Sequence, residues 1–280
     1  MAEPFGIFAG AVSIASAFTA CVDCFEYIQL GRHFGRDFQT NLITLDCARL
    51  RLTRWGTAVD VYGDAKLGHP EATTAEIQTA KDTMFQILAL FADTDNISKK
   101  YRLDARSSDN LPTYLPSDMV GRITALHNKM RELAIKRQNG STFLKATSWA
   151  IHDRSELKQL TDEVVVLIDN LEKLFPGAAG RARLVEQEVK EIPNPQDLQL
   201  IAKCAEGVDS LLEDTAKKAL IGHRYSNIDI KGHALTGDLI AQDWQGSMAG
   251  ASHTYNGLTV GEGAKALIGN QLGGKGFWED

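Results

Sequence analysis

The chain has 280 residues, 44% of them apolar and 24% charged, with a net charge of -6 and a pI near 5.7. That length is enough for a large buried core, and an acidic balance without a basic stripe argues against nucleic-acid binding as the main activity. Four cysteines are too few for a disulfide framework, which makes a reducing compartment the default.

No residue from Pro4 to Val22 is charged. As a helix this stretch spans about 28 Å, close to the hydrocarbon thickness of a bilayer. Its bulky apolar positions are Phe5, Ile7, Phe8, Val12, Ile14 and Phe18, with small residues between them. Gly6 and Gly10 have the G-x-x-x-G spacing that lets helices approach closely in lipid. Glu3, with no Lys or Arg before it, argues against a secretory signal. Two readings stay open: a buried core helix, or a membrane segment held in a soluble fold and released conditionally.

The chain then reads as helical to residue 221. Helices are expected at 37–61, 117–138 and 142–152. Thr73 to Glu76 forms a capping box ahead of Ile77, Met84, Ile87, Leu88 and Phe91. From Ser155 to Phe175, Leu157, Leu160, Val164, Leu167, Ile168, Leu171 and Leu174 fall at three- and four-residue spacings, and Pro176-Gly177 ends the run. Asn194-Pro195 reads as an N-cap with proline at the first helical position, opening a helix to about Ile221. Strand-like alternation is nearly absent before residue 222, so residues 1–221 are expected to form an all-α helical bundle.

Composition changes near residue 222. Twelve of the 24 glycines lie from Gly222 onward, and all seven prolines lie at or before Pro195. A Gly-rich tail over 222–280 with few large apolar side chains is expected to stay disordered as a lone monomer. It nevertheless contains two similar units, 223–238 and 253–270. Tyr225, Ile228 and Ile230 match Tyr255, Leu258 and Val260 at an offset of thirty. Ala234, Leu235, Gly237 and Asp238 match Ala266, Leu267, Gly269 and Asn270, with Ile268 opposite Thr236, after a two-residue slip. One unit cannot bury its apolar face, but stacked units form a β-solenoid whose rungs repeat at about 4.7 Å. Two rungs per molecule would place Asp238 beside Asn270, which separates like charges along the stack. A flexible tail with a chance repeat is the alternative.

Enzymatic and metal chemistry find little support. Gly269 to Lys275 fits a phosphate-binding loop as far as its lysine, but Gly276 replaces the Ser/Thr that would hold magnesium. Gly261-Glu262-Gly263 lacks the βαβ context of a dinucleotide site. Cys21 and Cys24 read as buried thiols, and His127 and His152 as ordinary helix residues. No enzyme, metal or cofactor is expected.

The N-terminal sequences Glu3-Pro4-Phe5-Gly6-Ile7, Cys21 to Tyr27, Gln29 to Arg32 and Phe34 to Asp37 resemble the start of a known family's helical domain. That family is the fungal HET-s/HET-S heterokaryon-incompatibility proteins, and the domain is called HeLo. Trp55-Gly56 and Leu171 to Pro176 fit the same domain; Leu267 to Asn270 and Gly273 to Trp278, with its aromatic pair Phe277 and Trp278, resemble the family's prion-forming domain. The resemblance implies a cytoplasmic cell-death protein whose tail, when templated, becomes a self-propagating amyloid. That change would disrupt the last helix, release the N-terminal segment and permeabilise the plasma membrane. Implied partners are further copies of the chain, prion-form family members, a nucleotide-binding immune-type receptor with a matching amyloid motif, and membrane lipid. The alternative within the family is a prion-type regulator without pore activity. Asp23 and His33 lie in a stretch where pore-competent and pore-deficient forms differ. Two departures stand out: both repeats are shorter than the family pattern, and His233 faces Lys265 rather than a complementary charge.

Overall fold

A computed structural model describes residues 13–30, 38–104, 121–138, 149–151, 154–221, 224–237 and 254–269. The chain divides into two compact units, Met1–Ala216 and Lys217–Asp280. The first contains α1 (Ile14–Cys24), a 3-10 turn (Phe25–Tyr27), β1 (Ile28–Leu30), α2 (Phe38–Ala58), α3 (Thr74–Asp104) and α4 (Gly121–Lys136). These are followed by β2 (Trp149–Ile151), α5 (Arg154–Leu174), α6 (Ala178–Lys190), α7 (Pro195–Cys204) and α8 (Ser210–Ile221), with the unit boundary falling inside α8.

Local chemistry sets the helix ends. The backbone N–H of Ser16 donates to Ser13 Oγ at 3.1 Å and opens α1. At α3 the capping box closes both ways: Thr73 N–H donates to Glu76 at 2.8 Å and Glu76 N–H to Thr73 Oγ1 at 3.2 Å. The amphipathic face of α5 buries Leu157, Leu160, Val164, Ile168 and Leu171, and the helix stops before Pro176. Asn194 caps α7 through Gln196 N–H at 2.8 Å, with Pro195 at the first helical position.

Two expectations need correction. The helix expected from Asn194 to Ile221 is two helices. Gly207 takes a left-handed φ of 73°, and Asp209 caps a fresh start by accepting Leu212 N–H at 3.1 Å. The helix expected at 142–152 is a strand where it is described: Trp149, Ala150 and Ile151 pair in parallel with Ile28, Gln29 and Leu30. Aromatic and β-branched residues suit that pairing.

The core of the first unit joins Phe18 of α1, Trp55 of α2, Met84 and Phe91 of α3, and Ile168 of α5. α3 packs on both α1 and α5, while α2 packs on α4, α5, α6 and α7. α2 is therefore the central post of the bundle.

The second unit holds β3 (Arg224–Ile230), β4 (Ala234–Thr236), β5 (Thr254–Val260) and β6 (Ala266–Ile268). β3 pairs in parallel with β5, Tyr225 opposite Tyr255 and Ile230 opposite Val260. β4 pairs in parallel with β6, Ala234 opposite Ala266 and Leu235 opposite Leu267. These are the offsets of thirty and thirty-two read from the repeat. The slip is absorbed by a turn at Gly261-Glu262-Gly263, in which Ala264 N–H donates to Gly261 O at 3.1 Å and Gly263 takes a φ of 77°. The expectation of a tail disordered as a lone monomer concerns all of 222–280; within its described residues β3 to β6 are paired strands. Two repeats in one chain give each strand one hydrogen-bonding partner without a second molecule.

Candidate functional site

α1 is seated by α2 and α3 along its length. Phe18 is fully buried, and its ring lies so close to Gly56 that a Cβ there would sit 2.3 Å from Phe18 Cζ. The Phe18 ring is 5.7 Å from Tyr62, edge-on, and 6.3 Å from Trp55. Trp55 in turn donates its indole N–H to Phe175 O at 2.9 Å. Thr19 Oγ1 shares a 2.9 Å hydrogen bond with Tyr62 OH, and Phe25 packs edge-on against Phe91 at 5.0 Å. Of the bulky positions in the apolar segment, Ile14 and Phe18 lie on α1, while Phe5, Ile7, Phe8 and Val12 lie outside the described residues. Among the described residues no helix is long and apolar enough to cross a membrane.

Cys21 and Cys24 are buried, and burial pushes both thiols above their ordinary range. They are packing groups, not thiolates ready for metal or redox chemistry.

The C-terminal end of α1 is polar. Asp23 is buried, accepts Gln138 Nε2–H at 3.0 Å through one oxygen, and has no hydrogen-bond partner on the other among the described residues. Burial raises its pKa. His33 lies outside the described residues. Glu26 accepts from Arg49 and, at 2.6 and 2.8 Å, from Arg131 Nε–H. Burial alone would raise its pKa, but the two guanidinium groups hold it below the ordinary 4.5. A depressed carboxylate stabilises the fold above its unfolded pKa and loses that contribution as pH falls through the lower, folded value. Glu26→Gln is therefore expected to lower Tm at neutral pH and to flatten the decline below pH ~4.5; parallel melting curves for the two proteins down to pH ~3 would contradict this. His127, read from sequence as an ordinary helix residue, pairs through Nδ1 with buried Asp46 at 2.8 Å.

Two further arginines of α2 reach α5, α6 and the segment between α7 and α8. Arg54 donates to both oxygens of Asp209, at 2.9 and 3.0 Å, and to both of Glu188, at 2.5 and 3.1 Å. Arg137 adds a 2.5 Å bond to Glu188. Arg51 pairs with Asp169 and Glu172 and donates to Val208 O at 2.8 Å. The sequence carries no local sign of these pairs, because each partner reads as part of a solvated helix face.

In the tail, Gly237 takes a φ of 123°, and a Cβ there would lie 2.9 Å from the Gly269 carbonyl oxygen. Gly269 takes a φ of 105°, and among the described residues nothing lies within 4 Å of its would-be Cβ. Gly269 N–H donates to Thr236 O at 2.9 Å, Thr236 Oγ1–H to Leu267 O at 3.3 Å, and Tyr255 OH to Thr236 O at 2.9 Å. Ile230 on the first rung is 4% exposed, whereas Val260 and Ile268 on the second are 43% and 40% exposed. Asp238, Asn270, Phe277 and Trp278 lie outside the described residues.

The HeLo family, described as prion-inhibition and propagation, matches residues 6–201. Heterokaryon incompatibility proteins s and S of Podospora anserina are each 38% identical to this chain over 293 aligned positions, covering 100% of both chains. The solved HET-S N-terminal domain superimposes with a TM-score of 0.72 at 38% identity, covering 78% of this chain and 97% of its own. A double mutant of the HET-s N-terminal domain, carrying alanine for an aspartate and histidine for a proline, superimposes with a TM-score of 0.69 at 36% identity over 74% of this chain and 98% of its own.

Proposed function

The chain belongs to the HeLo family, that of the fungal heterokaryon-incompatibility proteins HET-s and HET-S, and on that premise we propose that it executes incompatibility by permeabilising membranes once its tail is templated into amyloid. One observation supports this above the rest. The tail's repeats pair in parallel and in register, and among the described residues their second rung leaves Val260 and Ile268 exposed beside an unfilled Gly269 face. An open parallel edge is what a further copy's first rung would extend. In this reading growth of the stack draws in residues next to α8, α8 unwinds, and the segment 4–22 leaves its seat for lipid.

The helical unit is then a holder rather than a catalyst. It keeps an apolar segment out of water until the tail is consumed. Partners under this reading are further copies of the chain, prion-form relatives, a receptor bearing a matching motif, and the plasma membrane. Asp23 is proposed as part of the release threshold: it is a buried carboxylate, with one oxygen unpartnered among the described residues, at the end of the helix that must leave. Its companion His33 is assigned to the same step by family resemblance.

Replacing Ala11 by lysine is expected to cost about 2.5–3.5 kcal/mol of insertion at mid-span. Toxicity on expression with seeds should fall accordingly, and undiminished toxicity would contradict insertion. Leu267→Pro should remove a ladder hydrogen bond of β6 and block seeding; normal seeding would refute the register. The second reading, a prion-type regulator without pore activity, rests on the same stacked repeats. It predicts that deletion of 5–22 leaves both fibrils and biological effect intact.

A further inference from the structure

The arginines of α2 grip chain segments from opposite ends of the helical unit. Arg49 holds Glu26, two residues past the end of α1, and Gly56 with Trp55 forms the seat of Phe18. Within the same two turns of helix, Arg51 holds the carbonyl of Val208 and Arg54 holds Asp209, the residue that caps α8. α8 ends at Ile221, and β3 begins at Arg224.

Among the described residues the ion pairs around Arg54 form a closed set. Side-chain exposure is 1% for Arg54, 0% for Glu188 and 1% for Asp209, and Arg137 completes two cations against two carboxylates. If the start of α8 leaves, Asp209 leaves with it. Arg54 and Arg137 then share one carboxylate, and a buried positive charge stands uncompensated beside Trp55 and Gly56. Fraying of the last turns of α8 does not reach this set, because Asp209 precedes the helix.

From this placement we infer that Arg54 and Asp209 form an ion lock. α1 stays seated until α8 has unwound to its first turn, and loss of Asp209 passes to α1 through the stretch Arg49 to Gly56 of α2. The lock converts a gradual loss of C-terminal helix into a threshold. It supplies a regulatory step to the proposed function, yet its test needs neither fibril nor membrane, so the two can fail separately.

Hydrogen exchange of the full-length, unseeded protein decides it. Asp209→Asn should accelerate exchange in α8 and in α1 by about tenfold or more, while the centre of α5 stays as in the wild type. Lys218→Pro, which breaks the C-terminal half of α8 at an exposed position, should accelerate exchange there alone. The double variant Arg54→Met with Asp209→Asn removes both charges, leaves Arg137 paired with Glu188, and should return α1 to wild-type protection. This variant also decides the matter if Asp209→Asn by itself loses its helical circular dichroism. Wild-type exchange of α1 in folded Asp209→Asn overturns the lock. So does accelerated exchange of α1 in Lys218→Pro, or a double variant no better protected at α1 than the single one.

Discussion

Gly237→Ala is expected to abolish seeded conversion of the tail while leaving the helical unit intact. Its φ of 123° already disfavours any side chain, and the added Cβ would meet the Gly269 carbonyl oxygen at 2.9 Å. The neighbour is backbone of the paired rung, so it cannot yield without breaking the Gly269-to-Thr236 hydrogen bond. Thioflavin fluorescence of the full-length variant, with preformed wild-type fibrils of residues 222–280 as seeds, should stay at baseline. Gly269→Ala gives the informative comparison. It carries similar φ strain without a close neighbour among the described residues. If copies stack second rung to first, each Gly269 faces the Gly237 of the next chain, and both variants should fail alike. Normal fibrils from Gly269→Ala would show that chains do not add at that face.

Phe18→Ala is expected to cost about 3–5 kcal/mol of helical-unit stability, the range for deleting a fully buried ring. The loss removes packing against Trp55, Tyr62 and Gly56 together, and leaves α1 held chiefly by its side against α3, through Cys21 and Val22. Urea unfolding followed by circular dichroism gives the magnitude. Exchange in α1 should rise more than exchange in the centre of α5. A loss under about 1 kcal/mol would mean that the seat collapses around the smaller side chain, and that Phe18 does not set the hold on α1.

Much of this was legible because its cause is local. The capping box at Thr73 and the stop at Pro176-Gly177 depend on neighbours in sequence, and both appear in the structure. The solenoid register was legible for a related reason: a parallel stack of like units must place like residues together, so the offset between repeats is the register. The two-residue slip became the turn at Gly261 to Gly263, which from sequence resembled a fragment of a dinucleotide-binding fingerprint without its βαβ context.

What was missed depends on distance. β1 and β2 are three residues each, too short for alternation to show, and their pairing joins Ile28 to Trp149. The ion set of Arg54, Glu188 and Asp209 spans three elements, and only burial distinguishes such charges from a solvated surface. The break between α7 and α8 turns on Gly207, a residue that helices also tolerate in their interiors. The seat of α1 was half legible: Trp55-Gly56 stood out by resemblance, but its meeting with Phe18 is tertiary.

Dye leakage from anionic liposomes tests the central claim most directly. Soluble full-length protein is added with preformed fibrils of residues 222–280, and unseeded protein and fibrils alone serve as controls. The account predicts leakage only when protein and seeds are combined, and its loss when residues 5–22 are deleted. Fibrils that grow from the seeded protein without any leakage would contradict it, and would leave a prion-type regulator that acts through other proteins.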